Sequence, residues 1–254
     1  MDHDIGHLLN NWDFEPDEFL ARRIQADDGS EKIQIRIDMG ILQLETAGRP
    51  DGALPFGYSS LLDYHVAQIE ASKEDEFTFD EDQCENLFQE AWQFYHRYLS
   101  LFYLEDYAGV VEDTEHTLNI FDLVDEFAPN DEVRWYFEQY YPHAIMMQTR
   151  ARAMIALESE DYPTALNAVE EGIAHIESFV EEWESEIEEE IPELSFLREW
   201  HEELEQERPL TQREQLERDL DEAVAAENFE EAARLRDKIR TLWPGPRRLF
   251  RPER

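Results

Sequence analysis

Between residues 31 and 39 apolar and polar side chains alternate, with Ile33, Ile35, Ile37 and Met39 set against Lys32, Gln34, Arg36 and Asp38. A period of two predicts a half-buried strand with the polar set facing water. The DDGS before it is turn chemistry, with Gly29 able to take a positive φ. A β-hairpin is therefore predicted over residues 20–26 and 31–39, reaching on toward Leu44. Two strands alone are marginal in water, so this hairpin must pack on helices or pair with a second copy. The next stretch, AGRPDGALPFGYSS at 47–60, holds three glycines and two prolines and is predicted to be irregular. Its RPDG is a good turn, and loops of this length often carry function. LLDYHVAQIEA then begins helix, SKEDEFTFDEDQ is an acidic joint, and from Asp80 the pattern is helical almost throughout.

The helices come as hairpins with a shared corner. LEDYAGVV turns at Asp106-Tyr107, SEDYPTAL at Asp161-Tyr162 and AENFEEAA at Asn228-Phe229. Each offers an Asp or Asn to cap the next helix, followed by an aromatic ring. Pro163 falls in a first turn, where its missing N–H does no harm. Three residues after each ring stand Val110, Ala165 and Ala232, small enough for two helices to approach closely. The stretch WQFYHRYLSLFYLEDY places Trp92, Tyr95, Leu99 and Phe102 at helical intervals, which predicts core rather than a base-stacking surface, and VRWYFEQYYPH reads the same way.

The second corner resembles the tetratricopeptide (TPR) repeat, with Tyr162, Ala165, Leu166 and Gly172 where that family sets its turn aromatic and small packing residues. The first corner, with Val110, Thr114 and Thr117, fits less well. The corners lie 55 and 67 residues apart rather than at the family's spacing, so the resemblance implies stacked helix pairs over residues 85–182 and no regular array. Beyond it, eight of the residues from Glu181 to Glu193 are glutamate, yet Trp183, Leu194, Leu197 and Trp200 keep an apolar stripe, interrupted at Pro192. A short linker follows at Glu207-Arg208-Pro209.

Over residues 213–242, Leu216, Leu220 and Ala223 share one helix face, and Ala232, Leu235, Ile239 and Leu242 share another. A short connection forces the two helices to lie antiparallel. Glu214–Arg218 and Glu230–Arg234 are predicted i,i+4 pairs, each worth about 0.2–0.5 kcal/mol, and Asn228 with Glu231 has capping-box spacing. Trp243-Pro244-Gly245-Pro246 stops the second helix. A hairpin this small cannot bury a core alone, so its apolar residues are expected to meet another polypeptide region.

QLERDLDEAVAAENFEEAARLRDKI is similar to the UVR motif, the helical hairpin of UvrB and UvrC that also occurs in the unfoldase ClpC and the kinase activator McsA. The residues carrying the likeness are Leu216, Leu220, Phe229, Glu230, Ala232, Ala233, Leu235, Arg236, Asp237 and Ile239. In that family the hairpin is a protein–protein contact element. The resemblance therefore implies partner binding through Leu216, Leu220, Phe229, Ala232, Leu235, Arg236, Asp237 and Ile239. It implies no chemistry: there is no phosphate-binding G-x-x-x-x-G-K-[ST], and one cysteine, Cys84, allows neither a disulfide nor paired-cysteine zinc.

Charge adds a second boundary. The chain holds 62 Asp and Glu against 22 Lys and Arg, a net of −40. From Arg208 onward there are 11 basic and 10 acidic residues, whereas the 207 before them carry 11 and 52, a net of −41. The acidic part repels nucleic acid and anionic lipid and attracts cations. Such a surface also suits a salty cytoplasm. The tail PGPRRLFRPER carries four arginines and is the place for weak contact with nucleic acid or an acidic surface. No basic leader and no 18-residue apolar run is present, which predicts a cytoplasmic protein without a membrane span.

The expected fold is mainly α: an irregular TPR-like helical-hairpin body with a small N-terminal β-hairpin and a C-terminal UVR helical hairpin. Residues 1–60 form the β-hairpin and loop element, 61–206 the helical domain, 207–244 the UVR motif and 245–254 a basic tail. The expected function is that of a non-catalytic adapter, without cofactor or metal, docking another protein or a second copy through the hairpin. Three alternatives stand beside it. One is an accessory role in nucleotide excision repair through UvrB/UvrC-type proteins. Another is an enzyme with Arg49 and Asp51 of the GRPDG loop at its site. The last is an acidic groove in the body that binds a basic peptide. His3 with His7, and Asp113 with His116, have metal-ligand spacing without a completing set.

Overall fold

The computed structural model describes residues 4–72, 77–187 and 190–242. The chain divides into two units, Met1–Leu204 and Glu205–Arg254. The basic tail, the stop at Trp243–Pro246 and His3 lie outside the described residues.

The first unit opens with one helical turn, α1 (Gly6–Leu9), and then three antiparallel strands rather than two: β1 (Ala21–Gln25), β2 (Glu31–Ile37) and β3 (Gly40–Glu45), in that order across the sheet. The first turn forms as predicted, with Gly29 at φ 83° and Asp28 Oδ1 accepting from the Ser30 amide at 2.9 Å. The predicted second strand is cut short at Ile37, and Asp38-Met39 becomes the turn into β3. Register pairs Ile33 with Leu44 and Ile35 with Leu42. This face packs on Tyr98, Leu101, Val110, Met147 and Ala151, so the sheet rests on helices. Burying each isoleucine contributes about 1.5–3 kcal/mol.

The opposite face of β2 is not solvated as the alternation predicts. Gln34 and Arg36 are buried. Gln34 accepts from Arg22 and donates to Gln43, forming a polar rung across all three strands. The Arg36 guanidinium bonds the carbonyls of Trp12, Ile37, Asp38 and Gly40, and so holds the β2–β3 turn. Trp12 lies 4.0 Å from the Arg22 guanidinium carbon and Phe14 lies 5.6 Å from that of Arg36. The segment before β1 thus covers a face that local patterning assigns to water.

Helices make up the rest of the unit: α2 (Leu61–Ala71), α3 (Glu81–Tyr103), α4 (Tyr107–Phe127), α5 (Asp131–Glu138), α6 (Tyr141–Glu158), α7 (Tyr162–Glu182) and α8 (Pro192–Glu207), within which the unit ends. Helix α3 pairs with α4, α4 with α6, and α6 with α7. These are stacked helical hairpins, consistent with the TPR-like expectation. The core stripe of α3 is Leu87, Ala91, Phe94, Tyr98 and Leu101. It is offset from the predicted Trp92, Tyr95, Leu99 and Phe102. Trp92 is 46% exposed and stacks on Tyr95 at 4.8 Å at the flank of the stripe. In VRWYFEQYYPH only Phe137 of the four consecutive positions Arg134–Phe137 is buried, against the prediction of a wholly ordinary core.

All three corners share a backbone motif. Glu105, Glu160 and Glu227 take positive φ of 59°, 57° and 56°. The next amide turns back to the carbonyl five residues earlier: Asp106 to Leu101 at 2.8 Å, Asp161 to Ala156 at 3.0 Å and Asn228 to Ala223 at 2.8 Å. These are Schellman closures with glutamate where glycine is the usual residue. Nothing in the structure explains that choice. Asp106, Asp161 and Asn228 then cap the following helix from Gly109, Thr164 and Glu231 amides, as predicted.

The second unit contains α9 (Gln212–Ala225) and α10 (Phe229–Leu242), an antiparallel pair joined by the third corner. Among the described residues no helix is long and apolar enough to cross a membrane.

Candidate functional site

Helix α9 begins with a capping box. Thr211 Oγ1 accepts from the Glu214 amide at 3.2 Å, and Glu214 Oε2 accepts from the Thr211 amide at 2.8 Å. Arg208 clamps the same carboxylate with two N–H donors at 2.9 and 2.7 Å. Arg208 and the Thr211 amide together hold the Glu214 carboxyl far below the usual carboxylate range. The predicted Glu214–Arg218 pair is therefore not made, and Arg218 lies 3.7 Å from Glu222 instead. Nor does Glu230 take Arg234, which pairs with Glu231 at 2.8 Å. The Arg218–Glu222 and Arg234–Glu231 pairs are exposed and of small weight.

The two helices close on a short seam. Leu216, Ala223, Ala232 and Leu235 are buried together, with Leu220 and Ile239 half-buried beside them. Of the eight residues assigned to partner binding, Leu216, Leu220, Ala232, Leu235 and Ile239 thus pack within the hairpin. Phe229, Arg236 and Asp237 point away from it, and the last two pair with each other at 3.0 Å. The outstanding feature is at the corner. Tyr107, the ring at the first corner, is 8% exposed; Phe229, in the same position of the third corner, is 69% exposed. Val224, at the end of α9, and Leu242 are exposed as well. Val224 lies off the predicted stripe, whereas Leu242, predicted on the α10 face, lies instead beyond the end of the seam.

The other candidates resolve into structural contacts. In the GRPDG loop, Arg49 pairs with Asp51 at 3.0 Å and with Glu90 at 3.3 Å. Glu90 is fully buried in α3, accepts from the Leu61 and Leu62 amides at the start of α2, and lies 3.1 Å from His116 Nε2. Asp113 is held by Arg97 through hydrogen bonds of 2.7 and 2.6 Å, and Arg97 also reaches the carbonyls of Glu45 and Gly48. Asp113 and His116 accordingly serve different partners. His7 Nδ1 lies 3.0 Å from the Asp4 carbonyl. Among the described residues no group of three His, Cys, Asp or Glu side chains is placed to hold a metal ion. Cys84 is buried, and burial pushes its thiol up to about 11, leaving it unreactive at neutral pH.

A capped antiparallel hairpin with a small-residue seam and an exposed aromatic at its turn is a helical contact module. The model of the family described as UVR, the UvrB/uvrC motif, matches residues 211–242, and α9–α10 is a UVR motif. No curated protein and no solved structure matches the chain.

Proposed function

We propose that this protein is a non-catalytic adapter that docks another protein through the turn end of its UVR hairpin. The observation that carries this reading is the exposure of Phe229. A benzyl side chain in water, at a corner whose counterparts in the body are buried at Tyr107 and half-buried at Tyr162, favours a partner that covers it. The match to a protein-interaction motif supports the same conclusion. The groups of the GRPDG loop are occupied by Glu90 and by one another, which favours an adapter over an enzyme at that loop.

Because Leu235 is part of the internal seam, replacing it tests folding of the hairpin and not docking. The discriminating variants are Phe229→Ser and Val224→Ser in the full chain, with affinity purification and mass spectrometry against wild type. The expected result is loss of specifically co-purifying protein with unchanged helical content and thermal midpoint. Differently tagged copies that co-purify, and lose this with Phe229→Ser, identify the partner as a second copy. Undiminished partner recovery by both variants overturns the reading.

A further inference from the structure

Four helices of the first unit line a partly open cavity of about 190 Å³ whose walls are acidic and aromatic. Asp122 and Asp125 come from α4, Glu138 from α5, Tyr141 from α6, and His175, Phe179 and Glu182 from α7, with Trp183 just beyond it. Three observations separate it from the general acidity of the surface. First, Glu138 is 8% exposed and no hydrogen bond or ion pair reaches its carboxylate. Its oxygens are not sealed off but open into the pocket, where a cation can reach a carboxylate that is otherwise shielded from water. Second, three of the lining residues are aromatic and ordered: Tyr141 stacks on Phe179 at 5.5 Å, while Trp135, outside the lining, stacks on Phe179 at 6.4 Å and tilts on Trp183 at 5.3 Å. Third, the chain already places a guanidinium at the rim. Arg134 donates to Asp125 at 2.8 Å while its guanidinium carbon lies 5.2 Å from the Trp183 ring.

A small metal ion does not fit, since no three of these groups converge on one point. A flat cation does, because its charge is spread over several N–H donors and its faces stack on rings. We propose that this cavity binds a guanidinium group on an aliphatic stem, with Glu138 as its buried counter-charge and the Phe179 and Trp183 rings as its walls. The site is independent of the UVR hairpin. Asp122, Tyr141 and His175 also line a neighbouring cavity, together with Arg152, Glu171 and Gly172.

The pocket carries its own pH dependence. Burial, and after it Asp125, Asp122 and Glu182, push the Glu138 carboxyl up to about 7, with Arg134 opposing. The groups facing it are Asp122 and Asp125 from α4, Arg134 on its own helix, Tyr141 from α6, and His175 and Glu182 from α7. Below that value Glu138 holds a proton and offers a cation nothing; above it the charge is available. Affinity is therefore expected to rise about 10-fold from pH 6 to pH 8.

The test uses the full chain and follows the Trp183 and Trp135 indole N–H signals by NMR. The probes are agmatine, a blocked pentapeptide with one central arginine, and the same peptide with uncharged citrulline. The expected result is saturable shifts with both guanidinium probes and none with citrulline, weakened at least 10-fold by Glu138→Gln. Tighter binding of the peptide assigns the site to an arginine of a partner chain; equal or tighter binding of agmatine assigns it to a free guanidino compound. If Glu138→Gln does not fold, Trp183→Leu takes its place with the same expectation. Equal shifts with citrulline, or guanidinium binding unchanged in the folded variant, overturn the proposal.

Discussion

Gly172 of α7 lies so close to Thr149 of α6 that a Cβ at 172 would stand 2.1 Å from the threonine Oγ1 and 2.9 Å from its Cβ. Thr149 is itself buried, and its Cβ is fixed by the α6 backbone, so a rotamer change alone does not clear the contact. The α6–α7 hairpin therefore depends on the missing methyl. Gly172→Ala is expected to destabilise the protein by about 1–3 kcal/mol. Thr149→Ala removes the two nearest atoms and should recover part of that loss in the double variant. A double-mutant cycle in urea measures the coupling, and strict additivity would show that the contact does not matter.

Arg97 and Asp113 form a buried two-bond pair that also fastens the chain after β3, through the carbonyls of Glu45 and Gly48. Asp113→Ala leaves a buried guanidinium without its counter-charge, and a loss of about 3–5 kcal/mol is expected. Replacing both partners, as Arg97→Met with Asp113→Leu, should cost much less. The second half of the prediction is local: Arg97→Met should speed proteolysis within residues 46–58 before the helices unfold. Uniform cleavage along the chain would show that Arg97 does not anchor this loop.

The corners of the fold were visible in the chain because their determinants are local. An Asp or Asn, a ring one residue on and a small residue three further on fix a helix start within one turn. What local patterning missed came from distant segments. Gln34 and Arg36 read as solvent-facing because Trp12 and Phe14, which cover them, belong to a part of the chain without periodicity. Phe229 reads like Tyr107 in its local sequence, and only tertiary packing makes one exposed and the other buried. The acidic cavity was out of reach for a different reason. Its carboxylates come from three helices, and among 62 acidic residues no spacing singles them out.

The positive φ of Glu105, Glu160 and Glu227 exposes a correctable strain. A residue with a Cβ in the left-handed region costs about 1–2 kcal/mol relative to the right-handed one, a penalty that glycine escapes. Glycine's greater freedom in the unfolded chain offsets part of the gain. Glu160→Gly is therefore expected to stabilise the body by about 1 kcal/mol at most. Glu227→Gly should act likewise on the hairpin without touching Phe229. Denaturant midpoints measure the first, and loss of stability in Glu160→Gly would mean that the glutamate has a role in water that its backbone conceals.

Glu138 also gives the stability of the protein a direction with pH. Its carboxyl stands at about 7 in the fold, raised mainly by burial, against about 4.3 for a free glutamate. Between those values the folded chain keeps a proton that the unfolded chain releases. The unfolded state is then the one favoured by rising pH, so stability falls through this window and levels off above it. Glu138→Gln mimics the protonated group at every pH. Relative to wild type, it is expected to gain on the order of 2 kcal/mol between pH 5 and pH 8, allowing for residual solvent screening. Measuring the difference between the two proteins cancels the slope from the acidic surface, which both share. The variant should thus be more stable at pH 8 and yet bind guanidinium less well, a combination that loss of packing does not produce. Parallel stability curves for the two proteins would show that Glu138 is solvated and that the cavity carries no trapped charge.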